Sequence, residues 1–184
     1  MMNPQSMTLY DTIAHDFEHM RQKARWHQLQ AQLVGESASL LDYDEVLQTL
    51  GAYDMSEPFV AEIALDQIRG SVGRAKEFTS KFYPRNNGSS DRWIGVKMAV
   101  VNMCGLRPID VYQIDDVYFV QDGNHRVSVA RQLGVETITA RVTKVYTKCS
   151  LAERYQVEAA GLLARFRHWL RPRATHTAVV CETN

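Results

Sequence analysis

The stretch VQDGNHRVSVARQLG, residues 120–134, is the feature that most constrains the fold of this chain. A strand-like apolar run at 117–120 ends at an Asp-Gly pair, and a helix-like run then begins at once and ends at Gly134. Two cationic side chains, His125 and Arg126, fall in the first turn of that helix. Cations are disfavoured there, because the N-terminal end of a helix already carries partial positive charge. The pattern therefore predicts a strand–turn–helix unit whose turn holds an anion.

This turn supplies the groups that phosphate binding requires. Backbone N–H groups are unpaired at a helix start, and Gly123 lets an anion approach them closely. Asn124 suits the N-cap position, Arg126 presents a planar fork to phosphate oxygens, and His125 can donate a hydrogen bond or relay a proton. The predicted ligand-binding residues of the turn are Asp122, Gly123, Asn124, His125, Arg126 and Ser128. The alternative interpretation is a plain Asp-Gly turn followed by a solvated His-Arg pair.

Periodicity elsewhere predicts an α+β fold with helical extensions at both ends. The predicted helices cover 8–34, 42–50, 91–103, 125–133 and 151–170. The predicted strands cover 59–65, 108–114, 117–120 and 138–145, of which the second and third form a hairpin. Between the first strand and the third helix, Gly70 and Gly73 indicate a loop.

These elements divide the chain into three predicted regions. Residues 1–57 form an N-terminal helical extension, 58–146 form the α+β domain, and 147–184 form a C-terminal helix with a basic tail. We expect the apolar stripe of the first helix, which includes Ile13 and Phe17, to pack on the domain or on another subunit.

The segment PIDVYQIDDVYFVQDGNHRVSVARQLGVETITARV, residues 108–142, resembles the ParB/sulfiredoxin superfamily. The shared features are a strand pair, a Gly-x-(His/Arg)-Arg turn, a helix ending in Leu-Gly, and a strand. The Asp-Gly-x-His-Arg form at 122–126 is similar to that of the superfamily's free serine kinases and of the DGQHR group of DNA-modification proteins. The resemblance extends over about residues 62–145. It implies a small mixed sheet with helices, and a nucleotide (ATP, ADP or CTP), with or without Mg²⁺, at the turn.

The resemblance also implies roles for residues ahead of the turn. The stretch IALDQIRGSVGR, residues 63–74, falls where the superfamily keeps its first conserved box. Arg74 is then placed near the nucleotide phosphates. Glu62 and Asp66 fall where the serine kinases place an essential acid, and Glu62 is the preferred candidate. The candidate catalytic residues are thus Glu62 and Asp66, which the resemblance implies, and His125, which can relay a proton from the turn.

Three departures from the family pattern limit which of the family's activities are expected here. In sulfiredoxins the position of Asn124 is the reactive cysteine, and an amide cannot act as a thiolate nucleophile. In chromosome-partition ParB proteins the turn reads Gly-Glu-Arg-Arg-x-Arg, whereas Asn124, His125 and Ser128 stand here. After Val145 there is room for one long helix and a tail, so a following helix-turn-helix domain is not expected.

Composition bounds the partners and the compartment. Lys+Arg and Asp+Glu are equal at 21 each, so any anion site is local. The apolar runs are too short to span a bilayer, and three scattered cysteines indicate no disulfide framework, so we expect a cytoplasmic protein without a membrane partner. His15, Glu18 and His19 match an H-x-x-E-H pattern, but we expect a solvated helix face there rather than a metal site.

The sequence leaves several functions open. Arg165, Arg167, Arg171 and Arg173 form a basic helix end that either contacts nucleic acid or pairs with the helix C-terminus. The main hypothesis is a domain that binds a nucleotide or another phosphorylated small molecule at 122–126, with kinase or phosphohydrolase activity as an extension. The alternatives are a non-catalytic DNA-binding or regulatory protein that uses the same anion site, and a degenerate interaction domain. A homodimer is also left open.

Overall fold

A computed structural model describes residues 4–103 and 105–151 of the chain. The helices are α1 (Pro4–Val34), α2 (Tyr43–Leu50), α3 (Ser90–Val101) and α4 (Asn124–Leu133). The strands are β1 (Leu41–Asp42), β2 (Ala52–Met55), β3 (Phe59–Ala64), β4 (Ile68–Ser71), β5 (Ile109–Ile114), β6 (Val117–Asp122) and β7 (Thr137–Thr147). Beyond its first residue, the helix predicted over 151–170 lies outside the described residues, and so do its arginines.

The strands form one mixed sheet in the order β1-β4-β6-β5-β7-β2, and β3 also pairs with β7. Strands β5 and β6 form the predicted antiparallel hairpin, while β4 beside β6 and β5 beside β7 are parallel pairs. Helices cover both faces of this sheet. The predicted α+β class is therefore confirmed, as is the small mixed sheet with helices.

Strand β4 corrects the prediction of a loop around Gly70. This glycine lies inside the strand, where a Cβ atom would stand 2.1 Å from Phe119 Cδ1 and 2.9 Å from the carbonyl oxygen of Leu41. Its role is the close approach of β1 and β6 rather than a turn. Gly73 does lie in a turn, with φ of 66°. Segment 1–57, predicted as a helical extension, also supplies β1 and β2 to the sheet.

Two apolar layers fix α4 and α2 on opposite faces of the sheet. Val127 and Ala130 of α4 pack with sheet residues such as Ile109 and Val120 in one buried cluster. The other cluster joins α2 to Phe119 and its neighbours, and its α2 members are Tyr43, Val46 and Leu50. Helix α2 begins where the Asp42 carboxylate accepts hydrogen bonds from two backbone N–H groups, and it ends at Gly51, as predicted.

Helix α1 packs on the outer side of α3. Its predicted apolar stripe is buried: Ile13, Phe17 and Met20 share a cluster with Trp93 of α3 and Val129 of α4. Each large side chain buried in this way stabilises the fold by about 1.5–3 kcal/mol. The stripe is therefore covered within this chain, and α1 holds α3 in place beside α4.

The other side of α1 matches the expected solvated face. His15, Glu18 and His19 are exposed, and no cluster of three or more metal-ligating side chains occurs in the part of the chain that the structure describes. Within the same ranges, no helix combines the length and apolarity that crossing a bilayer needs.

Candidate anion-binding cleft

The turn between β6 and α4 leaves the start of α4 without a side-chain cap. Gly123 is the N-cap residue, with φ of 114°, and its carbonyl accepts the first helical hydrogen bond, from Val127 N–H at 3.0 Å. Asn124, predicted as the N-cap, is instead the first helical residue. Helix α2, by contrast, is capped by Asp42. The N–H groups of the first turn of α4 are therefore available to an external acceptor.

Gly123 is required by the packing beneath it as well as by its conformation. A Cβ atom at this position would lie 2.4 Å from Ile109 Cγ2, a buried side chain of β5. The positive φ is itself unfavourable for any residue with a side chain. The turn thus lies directly on the sheet, and the start of α4 is held at a fixed height above β5.

A cleft of about 800 Å³ opens at the start of α4, and we name it the α4 cleft. Its walls come from the β6–α4 turn, α3, the loop before β5, and the segment after β4. The lining residues are Arg74, Arg92, Gly95, Val96, Ala99, Gly105, Leu106, Arg107, Gln121, Asp122, Gly123, Asn124, His125 and Arg126. Four of these side chains are arginines and one is a carboxylate, so the cleft is strongly cationic in a chain of zero formal net charge.

Two buried polar side chains in the cleft wall have atoms without hydrogen-bond partners. Asn124 is 3% exposed and His125 is 7% exposed. The Oδ1 atom of Asn124 and both ring nitrogens of His125 make no hydrogen bond to any described residue. Because buried polar groups are nearly always hydrogen-bonded, such atoms in a cleft wall point to an external ligand.

The His125 ring is neutral at physiological pH. It lies edge-on to Phe78, with 5.3 Å between ring centroids. Burial lowers its pKa to about 4, and the positive charges of Arg74 and Arg92 contribute to this shift. The neutral ring therefore has one N–H donor and one acceptor nitrogen to offer a ligand.

Arg126 does not present the free fork that the sequence predicts. Its Nη2 donates to the Asp122 carboxylate, while Nη1 donates to the carbonyl oxygens of Arg107, at 3.1 Å, and Pro108. Both terminal nitrogens are thus engaged within the protein, although the side chain lines the cleft. Pairing with an internal carboxylate is the feature that a degenerate interaction domain would also show.

Ser128 lies in the core rather than in the cleft. It is fully buried, and its hydroxyl oxygen accepts a hydrogen bond from Trp93 Nε1 at 3.0 Å. This contact joins α4 to α3. The structure therefore assigns Ser128 to packing, and its predicted contact with a ligand is not supported by its position.

The structure does not bring the two candidate catalytic acids to the turn. Glu62 accepts a hydrogen bond from the Thr139 hydroxyl on the β3–β7 pair. Asp66 lies with Gly134 and Arg131 in a smaller depression at the far end of α4. Neither acid lines the α4 cleft. Helix α4 has ten residues and is therefore about 15 Å long, which is the distance between its two ends.

Six of the predicted ligand contacts do converge on the cleft: Arg74, Asp122, Gly123, Asn124, His125 and Arg126.

Sequence reasoning missed two further lining residues, Arg92 and Arg107. One signal was present for Arg92: it shares a helical face with Gly95, Val96 and Ala99, all at spacings of three, four or seven residues. That face of small residues and one cation turns away from the buried Trp93. No comparable local signal marks Arg107.

Comparison with known proteins places the chain in a family. The family model described as the ParB N-terminal domain matches residues 57–158, which is more than half of the chain. The chain belongs to the ParB N-terminal domain family. The resemblance to the ParB/sulfiredoxin superfamily is thereby confirmed.

One solved structure similar to this chain is sulfiredoxin from Arabidopsis thaliana. The match has 24% sequence identity and a TM-score of 0.35, and it covers 46% of this chain and 84% of the sulfiredoxin. Among proteins of curated function, no significant match to this sequence was found. The ParB-family assignment therefore rests on the match over 57–158.

Proposed function

We propose that this ParB-family domain binds a nucleotide in the α4 cleft, with the phosphates at the uncapped start of α4. The observation that carries the proposal is the set of buried polar atoms without partners, Asn124 Oδ1 and both ring nitrogens of His125, beside helix N–H groups that no side chain caps. A phosphate accepts hydrogen bonds from those N–H groups and from the neutral imidazole, while its charge interacts favourably with the helix dipole.

The charge balance of the cleft favours a multiply charged anion. Asp122 is paired with Arg126, so Arg74, Arg92 and Arg107 remain as lining cations. Arg74 also lies 3.8 Å from Glu77, in a weak and half-exposed pair. A di- or triphosphate supplies the negative charge that three converging guanidinium groups lack.

The size and the second wall of the cleft favour a nucleotide over a bare phosphate. A volume of about 800 Å³ lies within the usual range of about 300–1,000 Å³ for small-molecule sites. Gly95, Val96 and Ala99 of α3 and Leu106 form the apolar part of the cleft lining. A nucleoside can pack on that wall while its phosphates reach α4. ATP, ADP and CTP all fit this description.

Binding is better supported than phosphoryl transfer. Asp122 is the one carboxylate among the lining residues, and it is already paired with Arg126. If Mg²⁺ accompanies the phosphates, Asp122 is the lining residue that can hold it, and the phosphates supply further ligands. Phosphoryl transfer also needs an acid close to the acceptor, which Glu62 and Asp66 do not provide from their positions.

Calorimetry with ATP, ADP and CTP, each with and without Mg²⁺, tests this proposal. We expect binding of at least one nucleotide. Arg92→Gln should weaken it tenfold or more, because a hydrogen bond to a charged group contributes about 1.5–3 kcal/mol. Arg25→Gln is the matched control, since it removes the same charge from a separate groove on α1. Absence of binding at millimolar nucleotide, or equal loss in both variants, would contradict the proposal. Product analysis of the same mixtures tests phosphoryl transfer.

A further inference from the structure

Arg126 joins three backbone segments at the edge of the α4 cleft. Its own backbone belongs to the first turn of α4, and its guanidinium contacts the end of β6 through Asp122. On its other side the same guanidinium contacts the segment before β5: Nη1 donates to the carbonyl oxygens of Arg107 and Pro108. We name this set of contacts the Arg126 clamp. The Arg126 side chain is 17% exposed, but its Asp122 partner is 72% exposed, so these bonds lie at the protein surface.

The segment held by the Arg126 clamp is also held at its start, where the N–H groups of Asn102 and Met103 bond to carbonyls of α3, and in its middle, where Leu106 packs against the core. Helix α3 ends at Val101, and the pairing of β5 with β7 begins at Ile109. Between them Met103 has φ of 59° and is 95% exposed, and Gly105 has φ of 66°. Pro108 has no N–H group to donate. Between Leu106 and the start of β5, the two carbonyls that Arg126 binds are the points at which hydrogen bonds from the α4 turn hold this loop.

The same loop carries a cation into the α4 cleft. Arg107 lines the cleft, and within residues 4–103 and 105–151 its guanidinium takes part in no ion pair. Its carbonyl oxygen is one of the two that Arg126 binds. The backbone position of Arg107, and so the reach of its side chain, depends directly on the Arg126 clamp.

From this geometry we infer that Arg107 contacts the phosphates and that Arg126 is a positioning residue that acts through it. The inference rests on the proposed function, and it gives the two arginines different roles in binding the anion. Arg107 provides an unpaired guanidinium to the anion. Arg126 keeps the loop over the start of α4, and Asp122 holds the Arg126 guanidinium in the orientation that reaches both carbonyls.

A double-mutant cycle separates positioning from direct contact. The affinities of ATP and of inorganic tripolyphosphate are measured for wild type, Arg107→Ala, Arg126→Ala and the double variant. We expect each single variant to bind both probes at least tenfold more weakly, and the double variant to lie within about threefold of the weaker single variant. If the losses multiply in the double variant, or if Arg107→Ala binds as well as wild type, the inference is wrong. Wild-type protein that binds neither probe would instead contradict the proposed function.

Hydrogen exchange of the unliganded protein supplies the readout that direct contact would not change. Arg126→Ala should speed exchange in residues 102–107, whereas Arg107→Ala should leave it unchanged because that side chain holds nothing in the absence of ligand. Unchanged exchange in a folded Arg126→Ala protein overturns the inference.

Asp122→Ala provides a second variant whose fold is not in question, because the Asp122 side chain is 72% exposed. Removing a carboxylate from a cationic cleft should raise anion affinity if electrostatics alone governs, and it would also release Arg126 to bind phosphate directly. Loss of the Arg126 clamp predicts the opposite: faster exchange in 102–107 and weaker tripolyphosphate binding. A rise in affinity would therefore contradict the inference.

Discussion

His125 combines two properties that rarely occur together: deep burial, and ring nitrogens that bond to no residue within 4–103 and 105–151. The free energy needed to bury those atoms is offset elsewhere in the fold, by the packing of α1, α3 and α4. A position that is costly to the unliganded domain but faces a cleft is a natural place for ligand recognition. Part of this cost is measurable. Burial disfavours the protonated ring and so makes the stability of the fold depend on pH.

We predict that acid destabilises the domain through His125. The folded-state pKa is about 4, against 6.5 for an unperturbed imidazole. Between these two values the unfolded chain binds more protons, so the free energy of unfolding falls as pH drops from about 6.5 towards 4. The loss approaches about 3 kcal/mol when the whole difference is expressed. Urea titrations at pH 7 and pH 4.5 measure it.

His125→Gln should remove most of this pH dependence, because glutamine does not titrate. His15→Gln, an exposed site on α1, is the control for loss of a histidine and should retain the wild-type profile. If His125→Gln loses stability in acid as steeply as wild type, another group is responsible and the ring is not held neutral by its surroundings.

At the scale of elements, the junction of β6 and α4 is the most tightly specified part of the fold. We predict that Gly123→Ala destabilises the protein by about 2–6 kcal/mol, the sum of backbone strain at positive φ and of overpacking against Ile109. Gly73→Ala is the matched control, because Gly73 has a φ of 66° but open space where the Cβ would lie. It should cost about 1 kcal/mol. Chemical denaturation compares the two, and equal losses would mean that the contact with Ile109 is unimportant.

Elements with local signals could be predicted from the sequence. Asp42 and Gly51 mark the ends of α2, and the hairpin, turn and helix over 108–134 follow from alternation, an Asp-Gly pair and helical periodicity. Strand β4 could not be predicted in this way. Its partners, β1 and β6, are both parallel, and parallel pairing joins residues far apart in sequence. Gly70 looked like a turn residue because nothing local reveals that Phe119 packs over it.

The same limit explains which part of the candidate site could be predicted. The turn residues 122–126 lie together in sequence, so their chemistry was visible at once. The hydrogen bonds that Arg126 makes within the protein could not be predicted, because their acceptors are two carbonyl oxygens 18 and 19 residues earlier in the chain. Arg92 and Arg107 join the turn through the packing of α3 and the course of the loop before β5. Glu62 and Asp66 were proposed by resemblance, and the fold places them away from the cleft.

At the scale of the whole molecule, charge is balanced globally and concentrated locally. The 21 basic and 21 acidic side chains cancel, yet four arginines and one carboxylate line the α4 cleft. Long-range attraction of anions by net charge is therefore absent, and any electrostatic contribution to binding comes from the cleft itself. Two variants with the same net charge can therefore differ in the salt dependence of anion binding, according to whether the lost cation lines the cleft.

We predict that nucleotide affinity falls as salt rises and that the slope depends on the cleft alone. The Debye length shortens from about 10 Å at 0.1 M salt to about 3 Å at 1 M, so attraction by half-exposed arginines is progressively screened. Arg92→Gln should flatten the plot of log Kd for ATP against log salt, because one cation near the phosphates is gone. Arg25→Gln lowers the net charge by the same amount from the groove on α1 and should keep the wild-type slope. If the two variants flatten the plot equally, the net charge of the molecule governs binding, and the α4 cleft is not where the anion is held.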